Sequence, residues 1–421
     1  MKVTLINTSD AGGGAPAACM RLLKALESSQ VNATLLVQKK KTNESSVYPM
    51  VKSLVSKLKA RFNFLYERLL FIYLFERDKS VRFAFSTANI GTNISEEGLI
   101  VNADILNLHW TNQGFLSIDN LKQLISLGKP VVWTLHDMWA FTGGCHYAGT
   151  CDHFKEECGN CYFLNDPSAQ DLSHGGWVNK QVLLFGVKNI VFVTPSKWLA
   201  EVARTSSLLN QFRIEVIPNP IDTTVFAPKD KAICRKKWNV DPFAKIILFG
   251  AANINDRRKG ITYLVGALNI LKNNYPDSGQ VEIVIFGKNK SFDTSLLPFK
   301  TYALDIITSE QDLAELYSLA DVFISPAVED NLPNMIMESL SCATPVVAFN
   351  TGGIPDMVDH MENGYLAEYL SATDLAKGLQ ELLFTSGPEK YAKQARNKVL
   401  DNFSYEKVAA EYITLYQSML N

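Results

Sequence analysis

Residues 325–364 read SPAVEDNLPNMIMESLSCATPVVAFNTGGIPDMVDHMENG. Their first half predicts strand, loop, helix, strand. Val322-Phe323-Ile324-Ser325 is a short apolar run of the kind that forms a buried parallel strand. A polar loop with Glu329, Asp330 and Asn331 follows. Pro333 suits the first turn of a helix, where its missing N–H is no loss. The helix is expected to end near Cys342, before Thr344-Pro345, with Val346 to Phe349 as the next strand. Such a unit aims free backbone N–H groups and the positive end of a helix dipole beyond the sheet edge, where a phosphate is stabilised. Asp330 precedes the helix and Glu338 lies inside it. An anion site flanked by carboxylates suits a ligand with both phosphates and hydroxyls, such as a nucleotide sugar.

The remainder of the chain sets this unit in a larger frame. At 421 residues it predicts two domains. A hydrophobic content of 47% and a charged content of 20% are those of a soluble globular protein. The net charge of -2 gives no support to nucleic-acid binding. The N-terminus, MKVTLINTSDAGGG, runs directly into a strand and a glycine turn, without the pattern of a signal peptide. No apolar run approaches a membrane span, so the expected compartment is the cytoplasm.

Lys2 to Asn7, the turn at Gly12-Gly13-Gly14, a helix to Leu26 and a strand from Val31 to Val37 open a doubly wound α/β domain. Gly13 and Gly14 let the backbone approach a ligand, although the GxGxxG spacing is absent. Leu54, Leu58, Phe62, Leu65, Leu69 and Ile72 recur at helical spacing among Lys57, Lys59, Arg61 and Arg68. A helix packed on the sheet with solvated charges is the preferred expectation. The alternative is an amphipathic helix on an anionic membrane surface, near a lipid-linked acceptor. Asp104 to Leu108 and Val131 to Leu135 predict buried strands, ending at His109-Trp110 and His136-Asp137. Ligand groups gather at such carboxyl ends, which makes His136, and after it His109, candidate site residues.

GGCHYAGTCDHFKEECGNC carries Cys145, Cys151, Cys158 and Cys161. Its C-x2-C pair has chelate spacing, so a structural four-cysteine zinc site is expected before free thiols or disulfides. Further on, Glu215 to Asp222 predicts a strand with a proline-rich exit, and a domain boundary is placed near Val225. Ile246 to Phe249 begins the second domain, and the loop from Gly250 to Lys259 puts Arg257-Arg258-Lys259 at its ligand edge. A diphosphate needs such charge neutralisation.

Together these residues resemble the family-four, GT-B-type retaining glycosyltransferases over essentially the whole chain. The carriers are the glycines near Gly13, His136-Asp137, VIPNPID at 216–222, Lys259-Gly260 and the quoted stretch with its preceding strand. HDMWAFTGGCHY with the four cysteines resembles colanic-acid and capsule-type enzymes of bacteria. The resemblance implies an α/β fold of GT-B architecture, two Rossmann-like domains facing across a cleft. The domains would span 1–225, with the Cys-rich insertion at 145–161, and 226–400. A C-terminal helix at 401–421 would cross back to the first.

It also implies transfer of a sugar from a UDP or GDP sugar to a glycan acceptor, free or lipid-linked, in surface polysaccharide biosynthesis, in the cytoplasm or at the inner membrane face. Lys259 and Arg258 would bind the donor diphosphate, and Glu338 the ribose. Asp330 or Glu329 would face the sugar. Asn331, Leu332, Pro333, Asn334 and Met335 would line the donor with their backbone, and His136 would lie near the reacting sugar. The family's E-x7-E is Asp330-x7-Glu338 here, and the usual Arg before the Lys is Ile254. No D-x-D sequence occurs, so no catalytic metal is expected. The rival expectations are a nucleotide-sugar epimerase of the same architecture and a non-catalytic scaffold in a polysaccharide-assembly complex.

Overall fold

The computed structural model describes residues 1–274, 281–288 and 292–421. The chain folds into two units, residues 1–218 with 408–421, and residues 219–407. Among the described residues each unit holds one parallel sheet.

In the first unit the strands are β1 (Lys2–Ser9), β2 (Asn32–Lys39), β3 (Val47–Pro49), β4 (Ile105–Leu108), β5 (Val131–Thr134), β6 (Ile190–Thr194) and β7 (Ile214–Val216). Their order is β3-β2-β1-β4-β5-β6-β7. The chain winds outward from β1 in both directions, as in other doubly wound sheets. Alternate residues serve opposite faces. Ile6, Leu106, Val131, Trp133 and Phe192 enter one core. Val3, Leu5, Ile105, Val132 and Val193 enter the other, against Val408, Tyr412 and Tyr416 of the C-terminal helix Tyr405–Leu420. Burial on both faces explains why these strands read as unbroken apolar runs.

The second unit repeats the design with β8 (Lys245–Asn253), β9 (Val281–Lys288), β10 (Lys300–Ala303), β11 (Val322–Ser325), β12 (Val346–Phe349) and β13 (Gly364–Ala367), in the order β10-β9-β8-β11-β12-β13. Ile246, Leu248 and Phe323 point to one side, and Ile247, Phe249 and Ile324 to the other.

Three elements differ from the sequence expectation. β7 covers Ile214–Val216 and not the whole run to Asp222, because Pro218 and Pro220 have no N–H to give a ladder. β8 runs on to Asn253, still paired with β9 at Lys288, and shortens the expected loop.

The third correction concerns the Leu54–Leu74 helix. It forms, but its apolar stripe does not pack on the sheet: Leu54, Leu58, Phe62, Leu65 and Leu69 are exposed. Buried instead are Asn63, Glu67, Arg68 and Phe71. Arg68 donates to the carbonyls of Arg82 at 2.7 Å and Phe85 at 2.9 Å, and pairs with Glu67 at 3.1 Å. The polar face is therefore the anchored one.

The C-terminal helix is held by buried hydroxyls as well as by packing. Asn107 Nδ2 donates to Tyr416 Oη at 2.8 Å, and the Tyr412 and Thr134 hydroxyls are 3.1 Å apart. Replacing Tyr416 by Phe strands the Asn107 amide inside the sheet core. The expected result is a loss of about 1–3 kcal/mol, read as a lower urea midpoint of the first unit's transition.

Candidate active site

In the second unit the chemistry stands at the carboxyl ends of β8 and β11. After β8 the chain makes a single turn, Arg257–Lys259, capped by Asp256, whose carboxylate accepts from the Arg258 N–H at 3.0 Å. Gly260 then takes a left-handed φ of 70°. A Cβ there would fall 1.8 Å from the Pro326 carbonyl oxygen, so only glycine lets the post-β8 turn lie against the post-β11 loop. Val328 N–H binds the Arg258 carbonyl at 2.8 Å and ties the same two segments.

That approach brings Lys259 to Asp330, with Nζ to Oδ2 at 2.6 Å. Both side chains are partly buried, which strengthens the contact relative to a surface pair. Asp330 is set from behind by the 352–353 glycines. Gly353 N–H binds its carbonyl at 3.2 Å, and a Cβ on Gly352 would come within 2.0 Å of that oxygen.

The helix Asn334–Ser341 starts directly after Pro333, and no side chain caps it. Pro333 is thus the residue before the helix, with ψ of 115°, and not part of its first turn. Glu338 lies buried on this helix and accepts from the Tyr317 hydroxyl at 2.8 Å. Asn331 and Leu332 are buried in the connecting loop. Asn334 Oδ1 accepts from Asn219 at 3.4 Å, while Met335 packs beside the core. Arg258 pairs with Asp256 at 2.8 Å. Glu329 acts on Tyr369, whose phenol is raised first by burial and then by that carboxylate. Lys259 and Asp330 thus meet in one strand-end assembly, and Glu338 lies on the helix that follows it. Tyr317 and Gly352 belong to it without having been singled out from the sequence; a tyrosine on the preceding helix carried no motif of its own.

In the first unit Gly13 precedes and Gly14 begins the helix Gly14–Ser28 after β1, again without a side-chain cap. Asp10 stiffens this turn by accepting from Thr42 and from the Lys41 N–H. At the ends of β4 and β5, His109 Nδ1 and His136 Nε2 are 2.9 Å apart. Burial pushes the His136 imidazole down to about 4, against the pull of Asp137, and burial and His136 push His109 well down. Both rings are neutral near pH 7, and one donates to the other. Asp137 turns to His146, Nδ1 to Oδ2 at 2.7 Å, and also accepts from Trp110 Nε1 and Trp139 N–H. Burial raises its carboxyl, but His146 and the Trp139 N–H hold it below the usual range. His146 thus joins this strand end as the partner of Asp137.

Cys145, Cys151, Cys158 and Cys161 are free thiols near one another. Gly143 N–H donates to Cys158 Sγ at 3.1 Å. Burial pushes the Cys158 and Cys161 thiols up to about 11 and Cys145 higher still. Beside them lies Lys180, fully buried, bonded to the Trp139 and Thr142 carbonyls and held 3.8 Å over the Trp139 ring. Burial lowers its ammonium to about 7, opposed by Cys158, Cys145 and Asp137. Sulfur donors suit zinc. Yet among the described residues no group of three or more His, Cys, Asp and Glu side chains is placed to hold a metal ion.

Comparison with known proteins finds a family match within the second unit. Residues 244–384 match the family described as Glycosyl transferases group 1. The chain carries a group 1 glycosyltransferase domain. This domain contains Lys259, Asp330 and Glu338. The transferase is 22% identical over 346 residues, 79% of either chain, to N-acetyl-alpha-D-glucosaminyl L-malate synthase of Bacillus anthracis. It is 22% identical, over 76% of either chain, to Escherichia coli WcaC, a glycosyl transferase whose name assigns it to colanic acid biosynthesis. Anabaena Alr3699/HepE, solved in complex with UDP and glucose, matches with a TM-score of 0.61 at 15% identity, covering 99% of this chain and 100% of its own. The transferase fold is GT-B, built from the two parallel-sheet units described above.

The buried histidine pair makes stability depend on pH. Unfolded histidine titrates near 6.5. Between that value and about 4 the unfolded chain binds protons that folded His136 refuses, so stability falls as pH falls through this window. A His136→Gln protein is expected to show a flatter melting temperature between pH 6.5 and 4 than the parent, in a thermal scan at each pH.

Proposed function

We propose that the enzyme moves a sugar, with retained anomeric configuration, from a UDP or GDP sugar to a hydroxyl of a glycan acceptor in bacterial surface polysaccharide biosynthesis. The observation that carries this reading is the Lys259–Asp330 pair at 2.6 Å beside an uncapped helix N-terminus. A partly buried cation aimed by a carboxylate can stabilise a diphosphate as its bridging bond to the sugar breaks and negative charge collects on the leaving oxygen. The N–H groups of Asn334 and Met335, in the first turn of that helix, are assigned to the phosphates. Asp330 is freed by that exchange and is assigned to the sugar hydroxyls. Glu338, held by Tyr317, is assigned to the ribose. His136, being neutral, is assigned a hydrogen bond to the sugar rather than a proton transfer. Arg258 and Glu329 are kept as flanking donor contacts, and Gly13 with Gly14 as a close-approach turn. The names of WcaC and HepE's bound UDP support the acceptor class and the donor class respectively.

The test is acceptor-dependent release of UDP or GDP by purified protein. Lys259→Ala is expected to lower kcat about 10²–10³-fold. Release that needs no acceptor, or a Lys259→Ala protein with undiminished transfer, overturns the reading. Tyr317→Phe leaves Glu338 in place but loosens its carboxylate. It is expected to raise the donor KM about tenfold with kcat nearly unchanged, the signature of lost ground-state binding.

A structural zinc on Cys145, Cys151, Cys158 and Cys161 is proposed from their spacing and thiol donors. Metal analysis of purified protein checks it: about one zinc per chain supports the site, and a trace excludes it.

A further inference from the structure

The Leu54–Leu74 helix turns its apolar side outward. At about 100° per residue, Leu54, Leu58, Phe62, Leu65, Leu69 and Tyr73 fall in one stripe about 100° wide. Leu54 and Tyr73 are each 77% exposed, Leu58 68% and Phe62 59%. The rings of Phe62 and Tyr66 stack along it at 5.8 Å. Beside the helix, Phe83 adds a further exposed ring. A stripe of this size is far more than the scattered apolar exposure of an ordinary surface.

Charge selects the occupant. Lys52 and Lys59 flank one edge of the stripe, and Lys57 and Arg61 the other; all four are exposed. From Lys52 to Tyr66 there is no Asp or Glu. A second copy docking through this face would bring both sets of cations together without a counter-charge. Anionic lipid headgroups complement them instead, and long Lys and Arg stems reach upward to headgroups while the stripe enters the acyl boundary. Among the described residues no helix is long and apolar enough to cross a membrane, so the geometry is that of a helix lying in the interface.

We propose that the Leu54–Leu74 helix is a membrane-docking surface that binds an anionic bilayer in its interfacial plane. The polar underside supports this role. Arg68, Glu67 and Asn63 fasten the helix to Arg82, Phe85 and Gly114 and hold the stripe outward before any lipid is met.

The proposal stands apart from the sugar-transfer reading, since its test involves no donor or acceptor. Full-length protein is sedimented with vesicles of equal parts phosphatidylglycerol and phosphatidylcholine, and with pure phosphatidylcholine. Binding to the anionic vesicles is expected to be at least about tenfold stronger and to weaken with salt. Leu58→Glu with Phe62→Glu is expected to lower it by more than about tenfold, with an unchanged melting curve because both side chains are exposed. Lys57→Glu with Lys59→Glu is expected to abolish the preference for anionic lipid. Failure of the parent protein to sediment with anionic vesicles overturns the proposal, as does undiminished binding by the Leu58/Phe62 variant. So does a dimer in sedimentation velocity that this variant dissociates without any vesicle binding.

Discussion

A parallel sheet covered on both faces has only its strand ends left for polar chemistry. This constraint organises both units. The interior positions of β4, β5, β11 and β12 are buried, and the polar chemistry gathers where those strands stop. At these ends the residues are supplied by turns, and turns are positioned by backbone contacts. Gly260 against the Pro326 carbonyl and Gly352 against the Asp330 carbonyl are such contacts. They set Lys259 and Asp330 at 2.6 Å more firmly than the ion pair could set itself, since a partly exposed pair contributes little on its own.

The two sheet edges use charge differently. At the second unit's edge a cation and a carboxylate hold each other. At the first unit's edge, burial removes charge from His109 and His136, and the Asp137 carboxylate is held by His146. A neutral imidazole can both donate and accept. This suits recognition of hydroxyls, just as a paired ammonium suits recognition of phosphate.

Much of this was legible in the sequence because it follows from local rules. Apolar runs of roughly four to eight residues, interrupted by Gly and Pro, mark buried strands, and the strand-end positions of His136, Lys259 and Asp330 follow from them. Partners set by the tertiary fold were not legible. Tyr317 reaches Glu338 from a different helix, and Lys180 reaches the Trp139 and Thr142 carbonyls from 38 or more residues away. The end of β7 was readable in principle from Pro218 and Pro220, because a missing N–H stops a ladder even where apolar residues continue.

The Leu54–Leu74 helix shows why periodicity alone misassigns a face. An apolar stripe at helical spacing announces that one side will leave water, but it does not say for what. Packing on the sheet is the common answer, and the opposite side then carries solvated charges. Here that opposite side holds Glu67 and Arg68, both buried, with Arg68 bonded to two backbone carbonyls. Burying such a pair is rarely a net source of stability, because the desolvation penalty offsets the attraction. Its effect is directional. A buried Arg68 that must meet the Arg82 and Phe85 carbonyls allows one rotation of the helix about its axis, whereas a greasy underside would tolerate several. The rotation it selects is the one that keeps Leu58 and Phe62 outward, so the unfavourable burial and the unfavourable exposure have a single cause.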